Sequence, residues 1–288
     1  MGAIKTFNEF INESVQSDGS DIKKVITTNK ELKRRILELH VKQGIEGDIL
    51  DVSSLTGLIK CDDFSYIFSE FGKVKHIIGI ENWDVSKVKN MEGMFNYCYN
   101  FNADLSKWDV SNVENMSFMF GECKNFNCDL SNWNVSNVKK MGYMFSGCKK
   151  FNCDLSKWNV SNVVESMENM FADCDNFNSD LSNWDVSNVK RMQYMFWNCE
   201  KFNCDLSKWD VSGAKFMSFM FSGCKKFNSD LSKWDVSSVK DMRYMFQNCK
   251  KFDSDLSKWN VSSLENVDHT FSGCKYPDQL PSWYINRL

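Results

Sequence analysis

The sequence predicts an α/β repeat solenoid with one short parallel strand and one helix in each 25-residue coil, behind a helical N-terminal cap. Three observations predict it. The phrase FNADLSKWDVSNVENMSFMFGECKN, residues 101–125, returns as FNCDLSNWNVSNVKKMGYMFSGCKK and recurs almost to the end of the chain. Aligned on Trp83, Trp108, Trp133, Trp158, Trp184, Trp209, Trp234 and Trp259, the copies step by 25 residues, with one step of 26 where NVVESMENM carries an extra residue. A period of that length marks units that cannot bury their apolar faces alone and must stack. Within each unit run two hydrophobic rhythms.

The first rhythm, Leu105-x-x-Trp108-x-Val110, predicts the strand. It matches the L-x-x-L-x-L signature of leucine-rich repeats, and Asn112 falls near that signature's asparagine. The second, Val113, Met116, Met119, Phe120 and Cys123, has offsets of 0, 3, 6, 7 and 10, which describe one face of a helix. Ser111 is placed to cap that helix, as a serine oxygen can accept from the free amides of a first turn. Phe126 then turns the chain back toward the next Asp-Leu-Ser.

Four regions follow in order. Residues 1–22 are an amphipathic segment and linker, with Ile4, Phe7, Phe10 and Ile11 on one helical face. Their opening, MGAIKT, also fits an N-myristoylation pattern. Residues 23–79 form a helical cap and a degenerate first coil: Thr28-x-x-Glu31 is a capping box, and Leu32, Ile36 and Leu39 share a face. In that first coil, Leu50 takes the tryptophan slot. Residues 80–275 hold eight tandem repeats, and residues 276–288 a half-repeat cap. There Leu280, Trp283 and Ile285 restate the strand, and Pro277 and Pro281 stop the series.

Composition narrows the function. With 42% hydrophobic residues, 25% charged residues and a net charge of −3, nothing recruits nucleic acid or an anionic membrane. No apolar run is long enough to cross a membrane. Eight of the twelve cysteines fall one per repeat, on neighbouring coils whose separation is too large for a disulfide if the segment is helical. They read as buried small hydrophobes in a reducing compartment, so the chain is expected to be cytoplasmic. His40, His76 and His269 are scattered, and no nucleophile motif or phosphate loop is present. The expectation is a monomer that is no enzyme and needs no cofactor or metal.

The phrase F-N-x-D-L-S-x-W-D-V-S-N-V-x-x-M-x-x-M-F-x-x-C resembles the tandem repeat of the BspA-like family, leucine-rich-repeat-like proteins of bacterial surfaces that also occur in phages and large viruses. The resemblance spans residues 80–275. It implies a solenoid that binds a protein partner, with a virion or surface adhesin as the alternative to a cytoplasmic scaffold.

Two columns are candidate binding surfaces. On the expected helix, Phe118, Tyr143, Tyr194, Phe219 and Tyr244 lie opposite the buried face and form a solvent-facing aromatic stripe; if the segment is not a regular helix, the same rings pack between coils. On the expected strand, Asp109, Asp185, Asp210 and Asp235 point away from the core, beside lysines such as Lys208 and Lys233 that offset their repulsion. The column Asp104, Asp129, Asp154 reads as turn hydrogen bonding to backbone amides. Lysines following each cysteine, from Lys124 to Lys275, read as a solubilising rim.

Overall fold

The computed structural model describes residues 24–44, 47–69, 71–274 and 280–287. The segment expected over residues 1–22, with Lys275 and Pro277, lies outside them. Helix α1 (Asn29–Gln43) begins at its capping box, where the Thr28 hydroxyl accepts from the Glu31 amide. Leu32 and Ile36 are buried, with Leu39 partly so. The Asn29 side chain donates to the carbonyls of Asp63 and Ser65, which fastens α1 over the first coil.

Beyond α1 the chain is a tandem-repeat fold joined by short parallel pairings. Strand β1 (Ile49–Asp51) pairs in parallel with β2 (His76–Ile78), and β3 (Glu165–Ser166) with β4 (Val189–Arg191). Single parallel bridges connect Asp63, Asn90, Asn115 and Lys140 in turn, then Arg191, Phe216, Asp241 and Asn266. Equivalent positions in successive copies therefore lie side by side.

Among the described residues the repeats contain no α-helix, which corrects the expectation of one helix per coil. The amides of Met116, Phe118, Phe120 and Glu122 donate to Lys140, Gly142, Met144 and Ser146 of the next copy instead of to their own turn. Phe118 and Glu122 have φ of 58° and 61°, and a left-handed residue every four positions cannot continue a right-handed helix. The strand is displaced as well. Leu105 to Val110 is a chain of turns, with Trp108 N donating to Leu105 O at 3.0 Å, and the bridge forms at Asn115. Ser111 caps no helix; its amide donates to Asp109 Oδ1 at 3.0 Å. The inward assignment of the first rhythm holds, because Leu105, Trp108 and Val110 are buried.

The core is a set of columns, each cross-linked to the copy before it. Trp133, Trp158 and Trp184 stack at 6.5 Å, and the Trp158 indole N–H donates to the Leu130 carbonyl at 3.0 Å. All twelve cysteines are free. Those of the main column are more than small hydrophobes: the Cys123 thiol donates to Phe95 O and the Cys148 thiol to Phe120 O, both at 3.0 Å. An asparagine ladder runs outside the core, where the Asn152 amide donates to Asn127 Oδ1 and the Asn178 amide to Asn152 Oδ1. At the C-terminal end the expected strand is a helical turn, α2 (Ser282–Ile285). Trp283 nevertheless extends the column, stacking on Trp259 at 6.1 Å and donating to Leu256 O at 2.8 Å.

Candidate protein-binding face

The outer aromatic column is built on a repeated turn. In each copy a residue such as Phe118 precedes the amide that closes the turn, Met119 N to Met116 O at 3.2 Å. Such a turn requires positive φ at its third position. Tyr66, Gly93, Phe118, Tyr143, Asn169, Tyr194, Phe219, Tyr244 and His269 all comply, with φ between 54° and 61°. For a ring-bearing residue this conformation costs on the order of 1–2 kcal/mol. Stacking offsets it, at about 0.5–1.5 kcal/mol per pair. Phe118 and Tyr143 stack at 4.5 Å, Tyr194 and Phe219 at 4.7 Å, Phe219 and Tyr244 at 4.5 Å, and Tyr244 and His269 at 4.9 Å.

The rings are therefore not a free stripe on the back of a helix. They are half-buried, each covering its neighbour's face, and present their edges outward. Trp197 meets Tyr194 edge-on at 6.2 Å, and the Arg191 guanidinium lies 5.2 Å above the Phe216 ring. Arg243 grips Asp241 through two hydrogen bonds of 3.0 and 2.8 Å. Burial raises the pKa of Tyr143, and the Glu168 carboxylate raises it further. Burial also raises that of Tyr194, against the pull of the Arg243 charge.

The column breaks in the 26-residue copy. There the extra residue produces a register shift between Glu165 and Ser166, with Glu165 at φ 73° and Val164 46% exposed. Asn169 stands where the other copies place a ring, and Glu168 accepts from the Tyr143 hydroxyl at 3.2 Å.

The acidic and lysine columns are both exposed, but they do not interleave as expected. Asp109, Asp185, Asp210 and Asp235 each accept from the serine amide two residues on, at 3.0–3.1 Å. Hydrogen bonding from the serine side chain, then from this amide, holds the carboxyls of Asp109, Asp210 and Asp235 below their ordinary range, while Asp235 repels Asp210. Lys208 acts instead on Asp180 and Asp205, and Lys233 on Asp230, across shallow polar grooves between copies. The turn role expected of Asp104 and Asp129 is the one seen, each accepting from a serine amide at 2.9 Å. Ridge lysines are engaged by neighbours: Lys124 sits over the Tyr99 ring, Lys149 faces Asp175, and Lys225 binds Glu200. Among the described residues no group of three or more His, Cys, Asp or Glu is placed to hold a metal ion. No described helix is long and apolar enough to cross a membrane.

Two overlapping stretches, residues 62–182 and 165–283, match the family described as "Mycoplasma protein of unknown function, DUF285". The chain belongs to this family. The DUF285 matches overlap across the irregular copy, residues 165–182. None of the curated proteins matches the chain. Sequence reading missed Trp197, Phe216 and Gln193 as members of this face. The signal for that neighbourhood was present in the single inserted residue, the one departure from a strict period.

Proposed function

We propose that this DUF285 protein is a non-catalytic, protein-binding solenoid, and that it recognises its partner through the outer aromatic column. One observation carries the reading: Tyr194, Phe219 and Tyr244 form a continuous half-exposed ladder, flanked by Trp197 and by Arg191 over Phe216. Aromatic and arginine side chains dominate protein-binding hot spots, because a rigid ring buries much area at little entropic cost. Face-to-face stacking leaves only ring edges exposed, which suits a protein surface better than a sugar or a nucleobase needing a bare face. The resemblance to BspA-like repeats supports the same reading. It also supports a virion or surface adhesin as the alternative setting to a cytoplasmic scaffold, which the free thiols favour.

The test is comparative affinity capture from the native host. Replacing Tyr194, Phe219 and Tyr244 together by asparagine removes the rings, and the chain itself uses asparagine in this column at Asn169, where φ is 56°. The variant is expected to keep its circular dichroism spectrum and to lose the partner retained by the unaltered protein. A folded variant that still captures the same partner would remove the column from consideration and leave the Asp109, Asp185, Asp210, Asp235, Lys208 and Lys233 face.

A further inference from the structure

We infer that the protein partner meets the outer face with an acidic segment, a short extended stretch of chain bearing several carboxylates. The inference rests on the protein-binding reading above and names the chemistry that this face takes. From Glu114 to Glu265 one column of the repeats reads Glu, Lys, Glu, Lys, Lys, Lys, Glu. Where the signs alternate, neighbouring copies neutralise each other: Lys139 pairs with Glu114 at 2.7 Å, Lys190 with Glu165, and Lys240 with Glu265 at 2.9 Å. Lys215 interrupts the alternation. It stands between Lys190 and Lys240, its amide donating to Lys190 O at 2.9 Å and its carbonyl accepting from Lys240 N at 2.8 Å. It is exposed, and among the described residues no carboxylate lies within ion-pairing distance of it. Three cations on backbones roughly 4.8 Å apart repel one another. Arg191 adds a fourth charge. The hydrogen bond and charge of Lys190, then the charges of Arg191 and Lys215, hold the Glu165 carboxyl below its ordinary range, so one carboxylate serves three cations.

A second observation gives the aromatic ladder the same sign. An aromatic ring is electronegative over its faces and electropositive at its edge. Tyr194, Phe219 and Tyr244 stack face to face at 4.7 and 4.5 Å, so each covers an electronegative face of its neighbour and turns its electropositive edge outward. The Arg191 guanidinium covers a face of Phe216 in the same way. Arg243, the residue before Tyr244, extends the positive character along the ladder, and its charge reaches Tyr194. The nearest carboxylate does not oppose it, because Asp241 is buried and held by two Arg243 hydrogen bonds. Lysine run and ring edges therefore favour an anion together. The run spans two steps between copies, about 10 Å. An extended peptide sets alternate side chains about 6.6 Å apart, so two of its carboxylates fall within that span. A nucleic acid draws its affinity from many phosphates in succession, which a run this short on a chain of net charge −3 does not match.

The test titrates the full chain into fluorescein-labelled hexaglutamate at low salt and reads polarisation, with a labelled oligothymidylate as the competing anion. Saturable binding of hexaglutamate is expected, weakening as salt screens the charges. Lys215→Gln should weaken it roughly fivefold, the upper worth of one exposed ion pair. Lys215→Glu restores the alternation of signs, so it is expected to melt no lower than the unaltered protein and to abolish binding. Lys225→Gln, on the ridge and already paired with Glu200, is expected to leave binding unchanged. If Lys215→Glu melts lower, Lys215→Gln decides alone. The assignment is overturned by absent binding at low salt, by full binding to Lys215→Gln, by an equal loss in Lys225→Gln, or by tighter binding of the oligothymidylate. Partner capture separates this inference from the reading it rests on. A partner lost with the triple asparagine variant but kept by Lys215→Glu would overturn the acidic segment and leave the ring column standing; the converse would overturn the rings alone.

Discussion

Two aromatic columns run through the repeats under different rules. In the inner one, every full copy has tryptophan, from Trp83 to Trp259. In the outer one, equivalent positions hold Phe, Tyr, Asn, Gly and His. In the middle of the stack the inner residue must satisfy several demands together: as at Trp158, it fills a dry column, stacks on copies to either side, and carries an N–H that reaches a leucine carbonyl in the copy before it, whereas at the first copies Trp108 reaches the Ile80 carbonyl and the buried Trp83 N–H has no partner. Only tryptophan does all of this. The outer residue has one fixed demand, a left-handed backbone, which several residue types meet. Packing has fixed the first column; the second is free to vary within its backbone conformation.

The comparison is broken most severely at Trp158. Replacement by alanine is expected to cost about 3–5 kcal/mol from lost transfer energy and cavity formation. Because each copy depends on its neighbours, the loss should appear in denaturant unfolding of the whole repeat region. Trp158→Phe separates the two inner demands, since it keeps a ring but leaves the Leu130 carbonyl unpaired. Its cost should be smaller, though above the roughly 1 kcal/mol of a lost hydrogen bond. A change below that value for Trp158→Ala would contradict the buried, cross-linking role.

A smaller effect is expected at the thiols, which follow the inner rule in one column and a looser rule in another. Cys148→Ala leaves the Phe120 carbonyl without its donor and should cost about 1–3 kcal/mol. Cys128 receives the Leu105 amide at 3.1 Å, a job that Ser179, Ser229 and Ser254 perform in other copies. Cys128→Ser should therefore be nearly neutral at pH 7. Burial pushes the Cys128 thiol up to about 11 and the Cys98 thiol up to about 12. Folded values above the ordinary thiol pKa of about 8.5 mean that this stability is fully present below that pH. It is lost as pH rises through the folded values, so urea midpoints should fall between pH 8 and 11. In denaturant without reductant, twelve thiols should titrate; an alkaline limb that is flat, or several missing thiols, would contradict this account.

Much of this fold was legible because burial follows residue type. The period, the inward Leu105, Trp108 and Val110, and the α1 capping box are all readable from polarity and spacing. The helix in each repeat was misread for a physical reason. Offsets of 0, 3, 6, 7 and 10 also arise when consecutive three-residue turns return apolar side chains to one side, and periodicity cannot tell the two apart. What distinguishes them is the residue before each cysteine. Glu122, Gly147, Asp173, Asn198, Gly223, Asn248 and Gly273 are mostly turn formers, and all have positive φ. The stacking of the outer rings follows the alternative to that helix, rings packed between coils, because helical geometry would have splayed apart side chains that the turns align copy upon copy.

The smallest expected effect sharpens the comparison on the acidic face. Asp109, Asp210 and Asp235 occupy a slot that other copies fill with Asn134, Asn159 or Asn260, and in both cases the side-chain oxygen accepts from a serine amide. If the hydrogen bond rather than the charge sets the turn, Asp→Asn at these three positions should change stability at pH 7 by no more than about 0.5 kcal/mol each, the usual range for surface changes. Asp→Ala should cost more, because the serine amide loses its partner. The charge adds an acid dependence that asparagine lacks, small because these carboxyls are exposed. With folded pKa values depressed by the serine hydrogen bonds, the aspartates contribute stability that is present above the ordinary carboxylate pKa of about 3.9 and is lost as pH falls through the folded values. Thermal melts of the triple asparagine protein should thus match the unaltered protein near neutrality and decline less steeply in acid. The Asp210→Asn change alone should also relieve the repulsion between Asp210 and Asp235. An acid limb as steep as before would mean that other carboxylates govern it, and a large loss at pH 7 would mean that the charge, not the turn, holds this face.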